Sequence, residues 1–139
     1  MAADVAEVAT QTAAQAATQA ATVLVVEDTP SERALMSHYL SEGGYSVIGA
    51  PSGQEGLDKA IAQKPDVIVS DIVMPGLSGF ELCRTLKRLP ETSAVPVVLC
   101  SSKKQNIDRM WGMRQGAKAY LTKPYTKDEL LAAVQGALL

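Results

Sequence analysis

The sequence predicts an α/β fold, a doubly wound (βα)5 domain built on a five-stranded parallel sheet. Short apolar runs alternate with longer segments that begin at helix-capping residues, a succession typical of βαβ units. Most of these runs are apolar throughout instead of alternating, which is the pattern of strands buried on both faces. The chain has 139 residues, 47% of them hydrophobic, and this size suits one domain.

The five predicted strands are short. They cover residues 23–26, 45–48, 67–70, 97–100 and 120–122. Each helix that follows is marked at its start by a tetrapeptide that fits the capping-box pattern, in which a hydroxyl precedes an acid or amide by three residues. The tetrapeptides are 29–32, 52–55, 78–81, 102–105 and 126–129. Glycine or proline follows the first four predicted helices, at Gly43-Gly44, Pro65, Pro90 and Gly116, as expected of helix ends.

Residues 1–22 differ in composition from the rest. They are almost entirely Ala, Thr, Gln and Val, with Asp4 and Glu7 as the only charged residues. Such a segment favours helix but has little apolar surface to bury, so we expect a frayed or disordered leader. The functional domain is predicted to span residues 23–139.

Composition excludes several classes of protein. The formal net charge is −2 with a pI near 5.4, so neither nucleic acid nor an anionic membrane is an expected partner. No apolar stretch approaches the roughly 20 residues of a membrane span, and the N-terminus has no secretory signal. A cytoplasmic location is expected, with Cys83 and Cys100 as reduced, buried thiols.

Polar residues stand at the ends of four predicted strands. Glu27 and Asp28 follow the first, Asp71 the third, Ser101 the fourth and Lys123 the fifth. Because parallel strands end at one edge of a sheet, these side chains are predicted to converge on a single site. Carboxylates so close together require a cation, and an all-oxygen set favours Mg²⁺ or Mn²⁺.

The predicted site suits a phosphoryl group, which needs charge neutralisation and directed donors. Asp71 could itself be the nucleophile and form an acyl phosphate. The chain has no G-x-x-x-x-G-K-[ST] loop, so bound ATP is not the expected phosphoryl donor.

These motifs resemble those of response-regulator receiver domains, the CheY-like proteins of two-component signalling, which have a flavodoxin-like fold. The resemblance covers residues 23–139. It is carried by VVED at 25–28, DIVMPGLSG at 71–79, LCSS at 99–102 and YLTKP at 120–124. The first acid is Glu27 where Asp is commoner, and Ser101 stands where Thr is frequent, departures that bear on rates more than on activity.

The resemblance implies a role for each of these residues. Asp71 would accept a phosphoryl group from the phosphohistidine of a histidine kinase. Mg²⁺ would be ligated by Asp28, Asp71 and the backbone carbonyl of Val73, with Glu27 acting through a metal-bound water. Lys123 would pair with a phosphoryl or carboxylate oxygen, and its bond to Pro124 would be cis.

The resemblance also implies a switch and an output surface. Ser101 would donate to the phosphoryl group while Tyr120 moves from exposed to buried. A downstream target protein would then bind the fourth helix, the fifth strand and the fifth helix. Residues 108–117 resemble single-domain receivers of twitching-motility and phototaxis pathways in type IV pilus systems, so motility or taxis signalling is the expected pathway.

Three questions remain open at this level. A Mg²⁺-dependent phosphohydrolase with Asp71 as nucleophile is the alternative function, although Val73 stands where such an enzyme would need a second acid. The chain could also be a receiver cut from a larger regulator. Trp111 on the fourth helix fits either a core position or a partner contact, whereas His38 is expected to be solvated.

Overall fold

The computed structural model describes residues 21–102 and 106–139, and within them the predicted fold is confirmed. Five strands form a single sheet. The strands are β1 (Thr22–Val26), β2 (Ser46–Ala50), β3 (Val67–Asp71), β4 (Val97–Ser101) and β5 (Ala119–Thr122). The helices are α1 (Pro30–Glu42), α2 (Gly53–Gln63), α3 (Gly79–Arg88), α4 (Asn106–Arg114) and α5 (Lys127–Leu138).

All neighbouring strands are parallel, in the order β2-β1-β3-β4-β5. The pairing register aligns the carboxyl ends of the strands: Asp71 is opposite Cys100, and Ser101 is opposite Thr122. The chain reverses its direction of travel across the sheet between β1 and β3, and ligand sites of doubly wound folds lie at such a point. The topology therefore brings the polar strand ends together.

The sheet is covered on both faces. Val23 and Val25 of β1 pack with residues of α1 and α5 in one apolar cluster. Leu24 and Val26 point to the opposite face and join a second cluster with residues of α2 and α3. The alternation of β1 between two buried faces explains why its sequence is apolar at every position.

The positions of the helix starts agree with prediction more closely than the capping hydrogen bonds do. Thr126 and Glu129 form the full capping box of α5, and Ser52 and Ser78 accept the expected backbone N–H at α2 and α3. Each such cap contributes about 1 kcal/mol. The capping box predicted at Thr29 is wrong, because the Thr29 side chain makes no cap hydrogen bond. The box predicted at 102–105 lies mostly outside the described residues.

Strand boundaries differ from prediction by one or two residues. β1 begins at Thr22, which pairs with Ser46, and β2 runs to Ala50. Residues 1–20 of the predicted leader lie outside the described part of the chain. The helix ends agree with prediction, and Gly44 and Gly116 have φ values of 93° and 100°, a backbone region that suits glycine.

Among the described residues, no helix combines the length and the apolar character that crossing a membrane requires. Cys83 and Cys100 are buried free thiols, as predicted. Burial raises the pKa of Cys83 to about 11 and that of Cys100 to about 12. Both thiols therefore stay protonated and weakly reactive near neutral pH.

Candidate functional site

A cavity of about 480 Å³ opens at the carboxyl edge of the sheet. It lies above the ends of β3, β4 and β5, where the predicted site residues Asp71, Ser101 and Lys123 all contribute to its wall. The other lining residues are Glu32, Leu35, Val73, Ser102, Pro124 and Tyr125. The convergence that the sequence predicted is therefore present in the structure.

The ammonium of Lys123 is the centre of an ion-pair network. Its Nζ lies 3.2 Å from Asp71 Oδ1 and 3.4 Å from Glu27 Oε2. A third carboxylate, Glu32 Oε2 on α1, lies 3.3 Å from the same Nζ. The Lys123–Pro124 peptide bond is cis, as the resemblance implied.

Three carboxylates at this edge could hold a metal ion. One oxygen each of Glu27, Asp28 and Asp71 lies within 4.8 Å of the other two. Hard oxygen ligands at this spacing suit Mg²⁺, which keeps several waters and needs few protein ligands. The donor set therefore fits the predicted cation, and Val73, whose carbonyl was predicted to complete it, lines the adjacent cavity.

The backbone around the acids is fixed by hydrogen bonds. The N–H of Thr29 donates to Glu27 Oε1 at 3.3 Å, and the Arg33 guanidinium donates to the Glu27 carbonyl at 2.7 Å. On β3, the Ser70 hydroxyl donates to the Asp71 carbonyl at 2.8 Å. The first bond orients the Glu27 carboxylate, and the other two fix the backbone at Glu27 and Asp71, so both strand ends are held in place.

Burial and charge shift the acidity of the site. Burial raises the pKa of Glu27 to about 7, and a hydrogen bond with Glu32 and the charge of Asp71 add to the increase. Burial also raises the pKa of Asp71, against the opposing effect of Lys123. For Lys123, burial disfavours the ammonium, but Asp71 and Glu27 outweigh it and raise its pKa. The site thus carries more carboxylate than one ammonium neutralises.

We expect Glu27→Gln to stabilise the protein at pH 8 in the absence of divalent cations. The folded carboxyl has its pKa raised from 4.5 to about 7, so its contribution to stability is full below pH 4.5 and is lost as the pH rises through 7. The amide avoids this loss, and the expected gain at pH 8 is about 2 kcal/mol. Urea unfolding at pH 4.5 and 8 measures it, and equal effects at both pH values would contradict it.

The predicted switch residues contact each other. Ser101 is buried and Tyr120 is 7% exposed, and their side chains are hydrogen-bonded. The Arg109 guanidinium lies 5.3 Å from the centre of the Tyr120 ring and donates to the Tyr120 carbonyl at 3.3 Å. In the structure, Tyr120 therefore occupies the buried position of the exposed-to-buried movement that the resemblance implies.

Little of the apolar surface of helix α4 is buried. Gly112 is its buried residue, and a Cβ there would lie 3.2 Å from both Leu99 and Tyr120. Large apolar side chains on α4 remain exposed: Ile107 (69%), Met110 (59%), Trp111 (49%) and Met113 (45%). The core interpretation of Trp111 is therefore wrong, and a surface position is correct. His38 is exposed, as expected, and pairs with Glu42.

Sequence reasoning missed part of the site. Glu32 was interpreted only as a capping acid, yet its carboxylate pairs with Lys123. Its position in the first turn of α1, four residues after Asp28, is the signal that could have placed it near the strand end. Leu35, one turn further along α1, lines the cavity for the same reason.

Comparisons with known proteins agree with this geometry. Residues 23–135 match the family described as response regulator receiver domain. Protein PilH of Pseudomonas aeruginosa is 43% identical over 118 residues, which cover 85% of this chain and 98% of PilH. The transcriptional regulatory protein PhoP of Bacillus subtilis is 37% identical over 116 residues, but the chain spans only 48% of its length.

Solved structures lead to the same family. The chemotaxis protein CheY4 of Vibrio cholerae superposes with a TM-score of 0.80 at 33% identity, covering 84% of this chain and 98% of that one. A putative response regulator from Chloroflexus aurantiacus gives a TM-score of 0.81 at 30% identity, covering 84% and 96% of the two chains. With the family match covering most of the sequence, this chain belongs to the response regulator receiver domain family.

Proposed function

We propose that this receiver accepts a phosphoryl group on Asp71 from the phosphohistidine of a histidine kinase, and so controls binding to a target protein. The main observation that supports the proposal is the position of Asp71. Its carboxylate lies 3.2 Å from the Lys123 ammonium, within 4.8 Å of oxygens of Glu27 and Asp28, and at the wall of an open cavity.

The transfer is a simple displacement at phosphorus. A carboxylate oxygen of Asp71 forms the new P–O bond while the P–N bond of phosphohistidine breaks, and the departing imidazole takes a proton from solvent. Lys123 already contacts Asp71 and would pair with a phosphoryl oxygen. The absence of an acid at Val73, two residues further on, favours a single phosphorylation over the turnover of a phosphohydrolase.

Mg²⁺ would be held by Asp28, Asp71 and the Val73 carbonyl, with Glu27 acting through a bound water. Bound there, the cation neutralises charge on the phosphoryl oxygens. The close spacing of three carboxylate oxygens, one each from Glu27, Asp28 and Asp71, supports this role, because like charges held together favour a bound cation.

The phosphoryl group would act through Ser101 and Tyr120. It adds about −1.5 to −2 charge and three acceptors. Ser101 lines the cavity, and its hydroxyl would donate to the phosphoryl group. Because Ser101 is also hydrogen-bonded to Tyr120, its movement would reach β5 and α4. The output surface would then be α4, β5 and α5, where exposed apolar side chains favour protein binding.

Similarity to PilH and to CheY4 supports a stand-alone regulator in motility or taxis signalling, acting in the cytoplasm. This chain spans 98% of the length of PilH and 98% of the length of CheY4. It spans about half the length of the relatives named as transcriptional regulatory proteins. The phosphoacceptor role is the same in either setting, and we assign it to residues 23–139.

Trp111 offers a direct readout of the switch. It is the single tryptophan of the chain and is 49% exposed on α4. Beryllofluoride, which mimics a phosphoryl group on aspartate, is expected to change its fluorescence in the presence of Mg²⁺. Asp71→Asn should abolish the change. An equal change in both proteins would contradict a switch that begins at Asp71.

Transfer from an autophosphorylated histidine kinase tests the proposed function. With Mg²⁺ we expect at most one labelled phosphate per chain, labile to hydroxylamine as an acyl phosphate is, and none on Asp71→Asn. Steady release of phosphate from p-nitrophenyl phosphate would instead support the phosphohydrolase. Failure of every kinase and of small phosphodonors to label the chain would overturn the proposal.

A further inference from the structure

We propose that Glu32 restrains the phosphorylation of Asp71 by placing a negative charge at the entrance of the site and occupying part of the Lys123 ammonium. This inference rests on the proposed function. Glu32 is a positioning residue in this account, since it acts through Lys123 and through its charge and takes no part in bond formation.

The geometry makes Glu32 a competitor of Asp71. Its Oε2 lies 3.3 Å from Lys123 Nζ, and Asp71 Oδ1 lies 3.2 Å from the same atom. An ammonium has three donors, and here Asp71, Glu27 and Glu32 all face it. A phosphoryl oxygen that pairs with Lys123 must therefore share or displace one of these carboxylates.

Glu32 also lies where a phosphodonor has to pass. It lines the same cavity as Asp71 and Ser101. The Glu32 side chain is 49% exposed, whereas that of Asp71 is 11% exposed. The more exposed carboxylate is thus met first by an entering anion. A half-exposed glutamate is ionised at neutral pH, so this entrance charge is present there.

The role in helix capping does not account for this position. An acid in the first turn of α1 is favoured by the helix dipole, but only by about 0.3–1 kcal/mol. The Thr29 side chain hydrogen-bonds with Glu32 but makes no cap hydrogen bond to the helix backbone, so the capping box is not formed. Loss of the Glu32 charge should therefore affect the rate of phosphorylation more than the stability of the fold.

The size of the rate effect follows from electrostatics. Acetyl phosphate carries two negative charges near neutral pH, and repulsion by one half-exposed carboxylate at the entrance is worth roughly a fivefold change in rate at low salt. Salt screens such an interaction, because the Debye length falls from about 30 Å at 0.01 M to about 3 Å at 1 M. A purely structural role would not depend on salt in this way.

The test compares Glu32→Gln with a matched control, using the full chain. Glutamine keeps the size of the side chain and still accepts a hydrogen bond from Lys123. The control is Glu42→Gln, which removes an acid from the same helix. It also breaks an ion pair with a lysine, since Glu42 Oε2 lies 2.9 Å from Lys127 Nζ. The measured quantity is the rate of Asp71 phosphorylation by acetyl phosphate with Mg²⁺, at low and high salt.

We expect Glu32→Gln to be phosphorylated roughly five times faster than the wild type at about 0.01 M salt, with most of the gain lost at about 1 M. Glu42→Gln should match the wild type, and Glu32→Asp, which keeps the charge, should stay closer to the wild type than Glu32→Gln. Unfolding midpoints establish that all variants are folded.

An unchanged or slower Glu32→Gln, or a gain that does not depend on salt, would overturn the inference while leaving the proposed function intact, because the wild type is still labelled. Labelling of no protein, wild type included, would identify the failure as that of the proposed function.

Discussion

Lys123→Ala is expected to lower the free energy of unfolding by about 3 kcal/mol at pH 8 without divalent cations. The substitution leaves two buried carboxylates, those of Glu27 and Asp71, without the ammonium that both contact. Both carboxyls already have raised pKa values. The loss should therefore shrink toward pH 5, where the acids bind protons instead.

Two comparisons make this prediction specific. Lys127→Ala breaks an ion pair in which both side chains are 41% exposed, and it should cost far less stability than Lys123→Ala, because water screens exposed pairs. Excess Mg²⁺ should restore more stability to Lys123→Ala than it adds to the wild type, because the cation takes over part of the missing charge. Urea unfolding measures all of these, and a loss independent of pH and Mg²⁺ would contradict the account.

Gly79→Ala is expected to cost about 3 kcal/mol of stability. A Cβ at this position would lie 2.2 Å from the Asp71 carbonyl oxygen and 2.7 Å from the Ile72 Cα, both backbone atoms that cannot turn aside. The Gly79 N–H also donates to the Ile72 carbonyl at 2.9 Å. The added methyl group must displace the segment that carries Asp71, so phosphorylation should slow as well.

Gly136→Ala is the matched control, since it makes the same change on α5, where a Cβ would meet nothing within 4 Å. This variant should be more stable than the wild type by up to about 1 kcal/mol, because alanine is the better helix former. Thermal unfolding compares the two. A Gly79→Ala protein as stable as the wild type would show that the strand end relaxes without cost.

The fold and the centre of the site were predictable because two strong signals coincide. Strands buried on both faces are apolar throughout, so each polar residue that ends a run, such as Asp71 or Lys123, marks the carboxyl edge of the sheet. Parallel pairing then aligns these positions regardless of how far apart they lie in sequence. That geometry placed Asp71 and Lys123 together, and the structure has them 3.2 Å apart.

The errors arose where a side chain had two possible partners. The spacing of Thr29 and Glu32 fits a capping box, yet Glu32 pairs with Lys123, 91 residues away, and the Thr29 side chain makes no cap hydrogen bond. Local spacing contains no information about such a distant partner. Trp111 was ambiguous for a related reason: α4 contacts the sheet through Gly112, so its large apolar residues stay outside.

If Asp71 is the phosphoacceptor, phosphorylation will raise the intact mass of the protein only when this aspartate is present. Wild-type protein and Asp71→Asn are each incubated with acetyl phosphate and Mg²⁺, and the intact mass of each is then measured. We expect one added phosphoryl group on the wild type and none on Asp71→Asn. An adduct on both proteins would place the phosphate elsewhere, and no adduct on the wild type, with Trp111 fluorescence also unmoved by beryllofluoride, would leave a receiver fold that acts without phosphorylation.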